Sequence, residues 1–164
     1  MEVNLKVFRY DPETEQPGGY QDYPLDMPES ATVLDALLKI REEIDGSLSF
    51  RCSCRSAICG SCAMRIDDQA GLACKEKLIT HARDDGEVKI DPMGNLPNIK
   101  DLVVDMGPFW SKIRAVDPWL KPAGPEPVRE NLVPNERMLE LVGVMNCIMC
   151  GACVSDCKIG RAHV

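Results

Sequence analysis

Residues 47–74 read SLSFRCSCRSAICGSCAMRIDDQAGLAC, and four of their cysteines, Cys54, Cys59, Cys62 and Cys74, are spaced C-x4-C-x2-C with the fourth after eleven intervening residues. This is the plant-type spacing for a [2Fe–2S] cluster. Three thiolates on one short loop can wrap one side of a small iron–sulfur rhomb, while the fourth, arriving from a later strand, ties the loop to the body of the domain. Small residues between the ligands (Ser56, Ala57, Gly60, Ser61, Ala63) let backbone N–H groups approach the sulfurs. Arg51, Arg55 and Arg65 are expected to offset part of the negative charge. A C-x2-C pair alone would point to zinc, but the complete set of spacings favours iron–sulfur. The odd count of nine cysteines argues against a disulfide framework. Cys52 is expected to point to the opposite side of an extended chain from Cys54 and to be a spare thiol, buried or weakly exposed.

The 164 residues suffice for one ordinary domain or two small ones, and 45% hydrophobic content is enough for a core. A formal net charge of −7 argues against nucleic acid as a partner, which wants a basic face. No run of eighteen apolar residues is present to span a membrane, and MEVNLKVFRY has no basic-then-apolar secretory leader. Nine cysteines without a leader fit a reducing compartment in which thiolates hold metal.

Outward from the cysteine loop, Val3, Leu5 and Val7 alternate with polar residues as a half-buried strand does, and the run from Tyr20 to Met27 alternates likewise. Pro24 pushes that second strand towards an edge. Thr32 is a plausible N-cap for a helix from Val33 to about Ile44, which is expected to lie across the sheet. After the metal loop, residues 62–67 read as a strand, 67–71 as a turn that brings back Cys74, and Glu87 to Asp91 as a last strand. Together these describe a β-grasp sheet with one helix packed across it. From Asn98, Ile99, Leu102, Val103 and Met106 share a helical face, and Gly107-Pro108 restarts the chain. Trp110, Ile113 and Trp119 supply apolar surface where a second domain would meet the first. The run from Lys121 to Pro134, with Pro122, Pro125, Pro127 and Pro134, reads as an extended connector. Asn135 is expected to cap a helix through Met145 whose Met138, Leu139, Val142 and Met145 face inward. His81 reads as a solvated turn residue.

Cys147, Cys150, Cys153 and Cys157 then read C-x2-C-x2-C-x3-C, the bacterial ferredoxin run, in which the fourth cysteine serves a different cluster from the first three. By that logic Cys147, Cys150 and Cys153 belong to a [4Fe–4S] centre whose fourth ligand is missing, and Cys157 starts another centre. The chain stops seven residues after Cys157, so the domain is expected to be truncated, and residues 159–164 (IGRAHV) are expected to be non-native, with no meaning attached to His163.

With a plant-type run followed by a bacterial-type run, joined by NLPNIKDLVVDMGPFWSKIRAVDPWLKP, the sequence resembles the iron–sulfur subunit of succinate dehydrogenase/fumarate reductase from Val3 to Cys157. The resemblance rests on SFRCSCRSAICGSCAMRI and on the IKDLVVDM…PF…WL connector, which simple ferredoxins would lack. It implies an α+β chain: an N-terminal β-grasp [2Fe–2S] ferredoxin-like domain over residues 1–105, then the start of an all-α bicluster-ferredoxin-like domain over 106–164. It implies a [2Fe–2S] cluster on Cys54, Cys59, Cys62 and Cys74, a [4Fe–4S] cluster on Cys147, Cys150 and Cys153, and a [3Fe–4S] cluster of which Cys157 is the one ligand present. The implied activity is one-electron relay between the FAD of a flavoprotein subunit, which oxidises succinate, and quinone at a membrane anchor subunit. The chain would then be a peripheral subunit at the cytoplasmic face of the inner membrane. Nothing in it suggests a dicarboxylate or flavin site: there is no Rossmann fingerprint, phosphate loop or nucleophile–base pair, and no catalytic residue is expected. Two departures from the family pattern are Lys158, where many members have proline, and Cys52, where arginine is frequent. The competing readings are a free-standing ferredoxin-like carrier, the iron–sulfur subunit of another flavin-dependent, thiol-linked fumarate reductase, and a structural zinc protein.

Overall fold

A computed structural model describes residues 1–14, 17–82, 86–121, 124, 125 and 128–159. Five strands form one sheet: β1 (Glu2–Arg9), β2 (Gly19–Asp26), β3 (Ala63–Ile66), β4 (Gln69–Leu72) and β5 (Glu87–Asp91), in the order β2-β1-β5-β3-β4. The first and last strands in sequence, β1 and β5, run parallel at its centre, and the other neighbours are antiparallel. Alternation explains the pairing. Val3, Leu5 and Val7 all point into the core, where Leu5 pairs with Tyr23 on one side and Val88 on the other. Pro24 sits on β2, which is an edge strand, as its missing N–H requires.

The helix α1 (Val33–Lys39) begins with a reciprocal capping box: Asp35 N–H donates to Thr32 Oγ1 at 3.2 Å, and Thr32 N–H donates to Asp35 Oδ2 at 2.9 Å. Its buried face of Val33, Leu34, Ala36, Leu37 and Leu38 closes the core over the sheet, each large side chain contributing about 1.5–3 kcal/mol. The helix extends to Ile44 as expected, but residues Ile40–Ile44 widen into a π turn. The expected turn over 67–71 is shorter. Asp67 and Asp68, with φ of 46° and 67°, form a two-residue hairpin turn, and Gln69 is already paired with Ile66.

The expected helix after Asn98 is not formed. Instead β6 (Asn98–Lys100) and β7 (Val103–Val104) make a small ladder around Asp101, whose φ is 44°. A nonlocal carboxylate network overrides the helical spacing. Asp101 is buried, and its carboxylate accepts from Arg9 Nε at 3.0 Å, from Tyr10 N–H at 3.0 Å and from Ser49 N–H at 2.8 Å. A helix here would leave those donors unpaired. The same network pins the start of the cysteine loop to the end of β1.

Beyond Met106, α3 (Gly107–Val116) carries Pro108 in its first turn and buries Phe109, whereas Trp110 and Trp119 are exposed. The helix α4 (Asn135–Met145) starts as expected, but Asn135 is its first residue and does not cap it, Pro134 holding that place. Its expected inward face is largely uncovered among the described residues: Leu139, Val142 and Met145 are exposed, and Met138 is half-buried. Of the proposed connector, Pro125 and Pro134 are described, and Pro122 and Pro127 lie outside the described residues. A last turn, α5 (Ala152–Ser155), follows Cys150. Of the residues read as non-native, only Ile159 is described. Among the described residues no helix is long and apolar enough to cross a membrane.

Candidate iron–sulfur centre

The loop that carries the first cysteines is anchored from below. Leu48 and Phe50 are buried in the core, with the Arg41 guanidinium 4.5 Å above the Phe50 ring. Burial alternates along 48, 50, 52 and 54, because residues two apart in an extended chain share a side. Cys52 therefore lies on the same side as Cys54, and the expectation that the two diverge is corrected. Cys52 packs against the hydrophobic core as a half-buried thiol, one step deeper than Cys54.

Past Cys54 the backbone coils around the sulfurs. Cys54 Sγ accepts from the N–H groups of Ser56 (3.3 Å), Ile58 (3.4 Å) and Cys59 (3.3 Å), and Cys59 Sγ accepts from Cys54 N–H at 3.5 Å. Ala57 N–H donates to Cys74 Sγ at 3.3 Å, across seventeen residues of sequence. Arg55 and Ala57 both have φ of 56°, the left-handed conformation that turns successive amides inward into a nest. Cys74 arrives as expected from the strand side: Ala73 N–H donates to Cys62 O at 3.1 Å, and Leu34 N–H to Ala73 O at 2.9 Å, so that helix α1 and the loop hold the fourth cysteine between them.

The four thiols fall into two pairs. Cys54 and Cys59 each donate their N–H to the other's sulfur at the exposed rim, and Cys62 faces Cys74 on the buried side. The Ser61 hydroxyl, 3.3 Å from Cys59 Sγ, together with the Cys54 and Ser61 amides, holds the Cys59 thiol down to about 6. Burial pushes Cys62 up to about 11. Among the described residues no three His, Cys, Asp or Glu side chains converge as one ion requires. Two sulfur pairs in an amide-lined loop match the chemistry of a binuclear iron–sulfur centre.

Two surrounding groups differ from expectation. Arg65 does not face the loop: its guanidinium pairs with Asp156 at 2.6 Å and also donates to the Asp68 carbonyl. His81 is not a solvated turn residue. It ends the short helix α2 (Leu78–His81) and is mostly buried, with Nδ1 at 3.2 Å from Asp67 and Nε2 at 3.1 Å from Glu76. Its paired carboxylates draw it against the hairpin.

In the second run Cys147, Cys153 and Cys157 are exposed and Cys150 is half-buried, with Met149 N–H at 3.4 Å from Cys147 Sγ. None of the nine cysteines, all among the described residues, is in a disulfide. Residues not anticipated from the sequence dock this run onto the first domain. Asn95 Nδ2 donates to the carbonyls of Val154, Ser155 and Cys157, Gly94 N–H to Ser155 Oγ at 2.9 Å, and Ala70 N–H to Asp156 Oδ2 at 3.0 Å.

A five-stranded sheet crossed by one helix, with four cysteines gathered in an amide-lined loop, defines a [2Fe–2S] ferredoxin-like domain. The model of the 2Fe-2S iron-sulfur cluster binding domain family matches residues 4–111, and the chain belongs to that family. It is 41% identical over 157 residues to succinate dehydrogenase [ubiquinone] iron-sulfur subunit 1, mitochondrial, of Oryza sativa subsp. japonica, covering 93% of this chain and 55% of the relative. It is 40% identical over 156 residues to the succinate dehydrogenase iron-sulfur subunit of Paracoccus denitrificans, covering 93% of this chain and 58% of the relative. The chain thus spans a little over half the length of these relatives. Among solved structures, a chain of the Mycobacterium smegmatis Sdh1 complex in the apo form superposes with a TM-score of 0.86 at 26% identity, covering 99% of this chain and 66% of that one.

Proposed function

We propose that this chain is the electron-transfer part of a succinate dehydrogenase/fumarate reductase, with Cys54, Cys59, Cys62 and Cys74 holding a [2Fe–2S] cluster. The observation that carries this reading is the set of backbone N–H groups turned onto the sulfurs of Cys54, Cys59 and Cys74. Such donors stabilise thiolate charge and raise a cluster's potential. Once bound, the cluster supplies a one-electron redox centre. The residues of the chain do the rest: Leu48 and Phe50 fix the loop, the amide nest offsets its charge, and burial of Cys62 keeps water from one side.

Residues 1–105 form the first domain on this reading, and 106–164 begin an all-α bicluster domain. In the latter Cys147, Cys150 and Cys153 hold a [4Fe–4S] cluster and Cys157 takes part in a [3Fe–4S] cluster, their remaining ligands being supplied from outside this sequence. Electrons pass singly between a flavoprotein partner, where succinate and fumarate interconvert, and quinone at a membrane anchor, with this chain peripheral to the membrane. Relatives named as succinate dehydrogenase iron-sulfur subunits support the assignment.

The test is anaerobic co-purification. Iron and acid-labile sulfide in the chain, a bound flavoprotein, and reduction of the chain's cluster on adding succinate are the expected results. A colourless protein with zinc and no sulfide, or a cluster that succinate with the flavoprotein cannot reduce, contradicts it.

A further inference from the structure

The two cysteine runs meet at one backbone contact. Gly60 lies between Cys59 and Cys62 with φ of +70°, and a Cβ built there would stand 2.7 Å from Cys150 Cβ and 3.0 Å from Cys150 Cα. No real side chain tolerates that approach, so hydrogen at Gly60 is what lets the first loop touch the second. The far side repeats the device. Gly151, next to Cys150 and with φ of +81°, would carry a Cβ 2.9 Å from Met93 Cε and 3.2 Å from Met106 Cε. A cavity of about 190 Å³, bordered by Met64, Met93, Met106, Met149 and Trp110, flanks the contact with apolar and thioether groups. Independently, the Arg65–Asp156 ion pair and the three carbonyls held by Asn95 clamp the same segment from the sheet side.

We infer that Gly60 is a positioning residue that sets the spacing between the [2Fe–2S] site and the second cysteine cluster, its missing side chain letting the loop backbone rest against Cys150. This rests on the reading of both runs as cluster sites. A side chain at Gly60 pushes the second run off the first without removing any cysteine, so communication per loaded first site falls.

The variant that isolates this effect is Gly60→Asn, because asparagine tolerates a positive φ while restoring the Cβ. Gly86→Asn is the control: its φ is +74°, but a Cβ there meets nothing nearer than 3.4 Å. Two readouts are taken on anaerobically purified holoprotein. One is the magnetic broadening of the reduced [2Fe–2S] signal by the second reduced centre. The other, which needs no iron, is amide exchange at Gly94 and Ala70, whose N–H groups donate across the seam to Ser155 Oγ and Asp156 Oδ2. Expected for Gly60→Asn, with the broadening normalised to the [2Fe–2S] content of each sample, are loss of the broadening and exchange at the seam faster by about tenfold, as when one hydrogen bond is lost. Gly86→Asn should match wild type in both. Unchanged broadening and exchange in Gly60→Asn, or equal losses in Gly86→Asn, overturn the role of Gly60 and leave the relay reading standing. A wild-type protein with no [2Fe–2S] signal overturns the relay reading, and the exchange data then judge the seam by themselves.

Discussion

The domain ahead of Gly107 and the segment after it are built on different terms. The first closes its own core: α1 buries five residues on a five-stranded sheet, and the cysteine loop is pinned from Leu48, Phe50 and Asp101. The second offers α4 with no buried residue, and its cysteine run is held chiefly through Arg65, Gly94 and Asn95 of the first domain. One cysteine set is thus organised by a hydrophobic core and the other by a polar seam. The two should answer differently to mutation, pH and thiol reagents.

The largest difference is expected in packing. Leu37→Ala, at a fully buried position, should cost about 2–5 kcal/mol in urea unfolding, whereas Leu139→Ala on the exposed face of α4 should stay within about 0.5 kcal/mol. A comparable loss at both sites would show that α4 has a core of its own. Next is Asp101→Ala, which leaves Arg9 paired with Asp45 but removes the acceptor of Arg9 Nε and of two backbone donors, and should cost about 1–3 kcal/mol. Its counterpart at the seam, Asp156→Ala, breaks a partly exposed pair and should cost about 1 kcal/mol or less, while releasing amide protection at Ala70. Thr32→Ala removes one half of the capping box and should cost about 1 kcal/mol.

Smaller effects come from titration. The Ser47 hydroxyl, with Tyr23 and Arg9, holds the Asp45 carboxyl well below the usual carboxylate range. A group whose folded value is depressed adds stability that is present above its unfolded value of about 3.9 and is lost as pH falls towards the folded value. Asp45→Asn should therefore lower the urea midpoint at pH 7 and flatten its decline below about pH 4. In metal-free protein at pH 7, alkylation should reach Cys59, exposed and held down to about 6, well before Cys62, buried and pushed up to about 11. Equal rates would mean that the loop is not pre-organised without metal.

What could be read beforehand was what is local. Alternation in β1 and β2, the Thr32–Asp35 cap and the spacing of the two cysteine runs are each signalled within a few residues. The ladder at Asn98 was not readable, because Ile99, Leu102, Val103 and Met106 fit a helix equally well. The deciding contact, Asp101 to Arg9, joins residues 92 apart. The seam is hidden for the same reason: nothing near Arg65 announces Asp156. For Cys52 the information was present in the period of an extended chain, which places it beside Cys54 and makes depth, not direction, the distinction.

The most direct measurement is low-temperature paramagnetic resonance of anaerobically reduced protein, with and without the double substitution of Cys59 and Cys74 by serine. The wild type should give the signal of one unpaired electron on a reduced [2Fe–2S] pair, and the double variant should lose it while keeping the fold that its core sustains. A wild type without that signal, or a double variant in which it persists undiminished, would contradict the assignment of these four sulfurs.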